Sequence, residues 1–386
     1  MSLSEEVPKI PSIELLQQRF LVTSGPKESH AEAQEAIMKK IKEDHMAPFY
    51  QLICEEQGWP VDKALLSQLE KENEETLKKL DDRLKDAEEN LGETEISDAL
   101  LAKAEHFAKI GEKEKSLTAY RVAFDKTVAL GGRLDILFAL IRSGFFYHDN
   151  DLVSKNIEKA RSMIEEGGDW DRRNRLKVYE GTYLLTIRNF KGAADLFLDT
   201  LSTFTSVELL AYKEFITYAV LSSMVALKRV DIKKKVIDSP EVLEVLHEIP
   251  HLEDYLRSLY AGDYAKFFVS LAALETDTLK KSWVLFPHYR FYVREMRIRG
   301  YAQLLESYRS LTIQNMAQAF GVSEEFIDRD VSKFIAAGRL NCVIDKVNGI
   351  IETNRPDAKN AQYQQTIKHG DILLNRVQKL SRVINV

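Results

Sequence analysis

Along most of the chain apolar residues recur at intervals of three and four, broken by short polar turns, a spacing that predicts amphipathic helices packed in series. From about Ile96 to Leu274 four stretches share one pattern: a helix, a tight polar turn, then a helix opening with small or apolar residues. The turns fall at Gly111-Glu112-Lys113, near Asn150-Asp151, at Arg188-Asn189 and at Gly262-Asp263. The first three lie about 38 residues apart, a period that belongs to helical-pair solenoids of the tetratricopeptide-like kind. The last interval is about twice as long and leaves room for one more pair around Tyr212 to Ile237. One pair cannot bury its apolar face alone, so neighbours must stack into a continuous core. In the third repeat Ala193, Ala194 and Phe197 sit where close helix contact needs small residues and an aromatic. Residues 96–285 are therefore expected to form a right-handed helical-repeat solenoid.

The flanking patterns differ. Residues 1–60 read as an N-terminal arm with short helices. The first thirty or so mix Pro, Ser, Gly and charge around one apolar patch, Ile13 to Val22, and are expected to form a loose arm with one helix. A helix from about Ala31 to Asp44 and another from Phe49 to Gln57 follow, the second ending at Gly58-Trp59-Pro60. Residues 61–95 predict one long charged helix whose apolar seam, Leu77, Leu80, Leu84, Ala87 and Leu91, spans only about two heptads. Such a seam suits a narrow face packing on the repeats that follow.

Residues 286–357 change character. A helix from Arg294 to Ser310 leads to Thr312, a plausible cap for a helix over Ile313 to Phe320. Gly321-Val322 turns the chain, and Ser323 caps a helix carrying Phe326, Ile327, Val331, Phe334 and Ile335. Two short strands, Leu340 to Ile344 and Ile350 to Thr353, are joined through Asn348-Gly349. Three helices and a hairpin make a winged-helix pattern with a helix-turn-helix inside it. The would-be recognition helix carries Glu324, Glu325, Asp328 and Asp330 against Arg329 and Lys333, and the DNA backbone would repel it. In residues 358–386 a last helix from about Ala361 to Ile384 carries a stripe of Leu373, Val377, Leu380 and Ile384, ringed by Arg376, Lys379 and Arg382. The stripe needs a cover, either its own winged helix or helices of partner subunits. Its basic face is too sparse to favour a membrane surface.

Composition narrows the chemistry. Charged residues make up 30% of the 386, prolines number only 9, and the net charge is −6, so nothing global attracts nucleic acid or anionic membrane. No apolar run approaches the roughly 20 residues needed to span a bilayer, and the first residues lack a secretory pattern. The two cysteines, Cys54 and Cys342, suggest buried thiols in a reducing compartment. One literal catalytic motif exists: His247-Glu248-Ile249-Pro250-His251 matches H-E-x-x-H. Zinc peptidases need both histidines on one helical turn. Pro250 disfavours that geometry, so a loop between helices is expected instead. Phosphate-binding loops, nucleophile elbows and paired-cysteine sites are missing from the sequence. No enzyme activity, metal or cofactor is expected.

Helical repeats followed by a winged helix resemble the PCI family, whose name joins proteasome lid, signalosome and translation initiation factor subunits. The segment SYRSLTIQNMAQAFGVSEEFIDRDVSKFIAAGRLNCVIDKVNGIIETNRPD is similar to its PCI domain. The stretches GDWDRRNRLKVYEG, FPHYRFYVREMRIRGYAQLLESYRSLT and LLNRVQKLSRVIN extend the resemblance, from about Met46-Ala47-Pro48 to the C-terminus, to proteasomal members. The resemblance implies a non-catalytic scaffold subunit of the proteasome regulatory-particle lid, serving ubiquitin-dependent degradation in cytoplasm and nucleus. Implied partners are other PCI subunits, met through winged-helix edges and a bundle of C-terminal helices, with the lid deubiquitinase subunit and the proteasomal ATPases in the same complex. The implied contact residues are Leu340, Val343, Ile344, Ile350 and Ile351 of the hairpin and Leu373, Val377, Leu380 and Ile384 of the last helix. A signalosome scaffold is the sister alternative. An RNA-binding PCI protein, using Arg290, Arg294, Arg297 and Arg299, is the alternative from another class.

Overall fold

The computed structural model describes residues 8–26, 29–354 and 358–384. Four helices come first: α1 (Ile13–Ser24), α2 (His30–Glu43), α3 (Ala47–Gln57) and α4 (Lys63–Asn90). The array follows as α5 (Glu93–Ile110), α6 (Lys113–Lys126), α7 (Leu130–Phe146), α8 (Asn150–Gly167), α9 (Trp170–Thr186) and α10 (Phe190–Thr200). It continues with α11 (Tyr212–Ala226), the short α12 (Arg229–Ile232) and α13 (Pro240–Leu246), then α14 (Leu252–Ala261) and α15 (Tyr264–Leu274). The C-terminal part holds α16 (Tyr289–Ser307), β1 (Ser310–Thr312), α17 (Ile313–Phe320), α18 (Glu324–Ala336), β2 (Cys342–Asp345), β3 (Ile350–Thr353) and α19 (Ala358–Ile384). The chain divides into two compact units. One runs to Tyr260 and includes Ser270–Val293; the other comprises Ala261–Val269 and Arg294 onward.

All four turns read from the sequence are helix-pair turns, and they share one geometry. Gly111, His148, Arg188 and Gly262 each take a positive φ, between 54° and 87°. Glycine does this at no steric cost, whereas His148 and Arg188 hold it against the Cβ clash. The next residue then opens the following helix. Asp149, Asn189 and Asp263 each accept a backbone N–H three residues on, at 3.1–3.2 Å. This is ordinary N-capping, which satisfies a donor the helix itself leaves orphaned.

Within a pair, glycine sets the helix spacing. A Cβ on Gly144 of α7 would sit 2.6 Å from Val153 of α8, and one on Gly181 of α9 would sit 2.5 Å from Phe197 of α10. Ala193, Ala194 and Phe197 are fully buried at that second contact, as the small-residue pattern predicts. Helix α7 is buried on all sides from Ile136 to Phe146, so it forms the centre of its unit rather than a surface layer. The long α4 lies along α5, with Ala87 of its seam buried, Leu77, Leu80 and Leu84 half-buried and Leu91 exposed, and with Lys103 paired to Asp81 at 2.6 Å.

The one helix expected in the N-terminal arm is α1, and the arm is seated rather than loose, with Ile13, Leu15, Leu16 and Val22 buried. The apolar patch is long enough for three turns of helix, and that burial outweighs the loop-like composition around it. Residues 270–285 of the expected repeat region stay with the first unit, but a short stretch before them, Ala261–Val269, does not. Tyr264 and Phe268 of α15 belong with the second unit, where both rings meet Phe320, at 4.9 and 4.7 Å. A heptad or repeat pattern cannot mark such a boundary, because the helix continues through it. Gly181→Ala should lower folding stability by about 1–3 kcal/mol through overpacking against Phe197, measured as a shifted denaturant midpoint with unchanged slope.

Candidate functional site

The second unit builds a winged helix from its caps upward. The Thr312 hydroxyl accepts from the Asn315 N–H at 3.2 Å and starts α17. Gly321, with φ 65°, makes the tight turn, and the Ser323 hydroxyl caps α18 by accepting from Phe326 at 3.3 Å. Asp345 closes the wing by accepting from the Val347 and Asn348 N–H groups. The sheet has three strands rather than the two expected, in the antiparallel order β1-β3-β2. Strand β1 is only three residues long and abuts α17, so no alternation in the sequence announces it. Its signal is geometric: Ile351 faces Leu311 in register.

The acidic helix α18 is held from inside by one of its own acids. Asp330 is buried and accepts from Arg297 at 3.2 Å and from the Tyr301 hydroxyl at 3.1 Å. Burial, with Asp330 beside it, pushes the Tyr301 phenol well above its ordinary range, so the hydroxyl stays a donor. Asp328 pairs with Lys346 of the wing at 3.0 Å. Glu324 and Glu325 remain on the exposed face, so the face a DNA reader would present is acidic.

The hairpin positions predicted for contacts do not form one surface. Leu340 and Ile351 lie in the core with Phe320, Ile327 and Val331 and are corrected here to core residues. On the central strand β3 side chains alternate between faces, and Ile351 lies on the buried face while its neighbour Glu352 is exposed. Ile344 and Ile350 are half-buried, and Val343 points out with 53% of its surface exposed. β2 forms one edge of the sheet.

The last helix is the opposite case. Along α19, Leu373, Val377, Leu380 and Ile384 retain 59–72% of their surface. Tyr363, Ile367 and Leu374 are just as open and widen the apolar face beyond the sequence-predicted stripe. Tyr363 and Ile367 stand four residues apart toward the helix start, and Leu374 adjoins Leu373 within the stripe. Of the two covers considered, the chain's own winged helix does not supply one.

The remaining candidates lose their chemistry. α13 ends at Leu246, and His251 takes a positive φ of 63°, so the two histidines of the H-E-x-x-H stretch never share a helical turn. His247 instead meets Glu253 at 2.8 Å, and Glu248 pairs with Lys213. No group of three metal-ligating side chains exists among the described residues. Both cysteines are buried, and burial pushes the Cys342 thiol up. Of the four arginines weighed for RNA, Arg297 is spent on Asp330, Arg294 lies near Glu295 and Arg290 against Tyr289.

Asp330→Ala should cost about 2–3 kcal/mol, because it strands a half-buried guanidinium and a buried hydroxyl; urea unfolding checks it, with Asp330→Asn expected to lose less. Purified protein should carry no zinc at one ion per chain by elemental analysis before and after chelation.

Three family descriptions map onto the architecture. The 26S proteasome subunit RPN7 model matches residues 62–235, the PCI domain model residues 252–355, and the RPN7/PSMD6 C-terminal helix model residues 362–384. The chain is 50% identical, over all of both chains, to a 26S proteasome non-ATPase regulatory subunit 6 of Dictyostelium discoideum. It is likewise 50% identical to the Arabidopsis thaliana homologue over 97% of each chain. Likeness to the Arabidopsis COP9 signalosome complex subunit 1 is 24% and covers 62% of this chain and 53% of that one. With repeats, winged helix and terminal helix all matched in order, the chain belongs to the RPN7 family of 26S proteasome regulatory subunits.

Proposed function

We propose that this chain is a structural subunit of the lid of the 26S proteasome regulatory particle, acting by holding other subunits and not by catalysis. The uncovered apolar face of α19 carries the reading. It coincides with the segment, 362–384, that the family model describes as the C-terminal helix. Burying one Leu, Ile or Val side chain is worth about 1.5–3 kcal/mol. Association and ordering cost several kcal/mol, so one such residue cannot hold a partner, whereas Ile367, Leu373, Leu374, Val377, Leu380 and Ile384 together can. A long helix with one broad apolar face suits a bundle with helices of other subunits. The outward Val343 and the edge of β2 offer a second contact, by strand or side-chain addition to the wing. The deubiquitinase subunit and the ATPases are then neighbours within the particle, and the expected compartments are cytoplasm and nucleus.

The greater identity to proteasome subunit 6 than to the signalosome subunit favours the lid over the sister complex. The test is an affinity pull-down of the tagged full chain, with subunit identification by mass spectrometry. Lid subunits and proteasomal ATPases are expected; a signalosome set without them would overturn the reading. A variant with Leu374, Val377 and Leu380 changed to Ser should keep its circular dichroism spectrum but lose most lid subunits from the pull-down. Undiminished incorporation would sink the role assigned to α19.

A further inference from the structure

Stacked helical pairs touch their nearest neighbours, so the two ends of such an array are ordinarily independent. In the first unit α1 breaks that rule. Gln17 donates through Nε2 to the Lys281 carbonyl, and its Oε1 accepts from the Trp283 N–H at 3.2 Å. Phe20 meets Phe286 edge-on, with ring centres 5.1 Å apart. Arg19 of the same helix pairs with Glu56 of α3 and donates to the Phe146 carbonyl at 3.3 Å. Just upstream, the carbonyls of Ile10 and Pro8 accept from Arg142 at 3.0 and 3.3 Å. Arg142 is 2% exposed, so it needs those acceptors. A cavity of about 230 Å³ lies along the seat, lined in part by Ser12, Gln17, Leu209 and Trp283. The seat is thus less closely packed than a core, where voids larger than a water molecule are few.

We infer that residues 8–24 act as a clasp: they tie α7 and α3 to the segment around Lys281–Phe286, more than 100 residues further on, and so make the first unit respond as one body. Arg142 sets the grip, because releasing the strap leaves a buried guanidinium short of two acceptors. With the strap seated, the 281–286 segment is protected by contacts from the opposite end of its unit. With the strap released, the segment loses those contacts while keeping the Tyr218–Ser282 hydrogen bond and the packing of Trp283 on Phe145, and the helix pairs between persist.

Hydrogen exchange read by mass spectrometry on the full chain tests this, using Arg142→Met and Gln17→Ala. Loss of one or two hydrogen bonds should speed exchange about tenfold. In both variants that acceleration is expected in residues 8–24 and in 281–286 together, with α6 unchanged. Acceleration confined to residues 8–24 would overturn the clasp, since the strap would then be a passive passenger. Should Arg142→Met unfold, Gln17→Ala decides alone, because Gln17 is only partly buried. Thermal midpoints give a second reading: the double variant should lose less than the sum of the two single losses, and strict additivity would count against the coupling.

Discussion

A guanidinium taken out of water must be compensated or the fold does not hold, and the first unit is organised around that demand at Arg142. Its burial opposes the charge, yet Tyr179, Tyr120 and Glu208 keep its pKa above the ordinary value. It donates to the Tyr179 hydroxyl at 2.7 Å, which donates to Glu208 at 3.1 Å. Glu208 lies 3.5 Å from Arg175, and Arg175 pairs with Asp171 at 2.9 Å, which accepts from Thr205 at 2.8 Å. This polar line runs from α7 of one helix pair to α9 of the next. Satisfied throughout, such a network fixes one arrangement; partly satisfied, it costs more than an apolar core would.

The second unit uses the same device on a smaller scale. Asp330 belongs to the acidic helix by sequence but to the interior by geometry, where Arg297 and Tyr301 meet it. One acid thus fixes the helix against α16 while Glu324 and Glu325 keep its outer face unsuited to phosphate. A helix-turn-helix serves here as a rigid mount. The side chains that could read bases are replaced by ones that would be repelled.

Most of this was legible in residues because it rests on local chemistry. The four turns were visible as tight polar breaks between helices, and Thr312 and Ser323 were visible as caps because their hydroxyls have a fixed local target. The parts that were not legible depend on distant partners. Nothing local distinguishes Leu340, which is core, from Val343, which is surface, until the face of the hairpin that packs on the helices is known. Nothing in α1 says that Pro8 and Ile10 will meet an arginine more than 130 residues away. The strand β1 has no pattern of its own, being defined by the strand it pairs with. The apolar face of α19 was readable in kind but too narrow in extent, since a stripe was sought where a broader face exists.

That open face has a consequence for the chain on its own. An exposed run of Ile, Leu and Val is what chaperones and degradation machinery recognise in unfinished proteins. The face on α19 presents such apolar side chains on a regular helix. Partners that bind the folded chain also stabilise it by mass action. An apolar face left open on a folded helix is in this way a liability for the chain alone that a bound partner would remove.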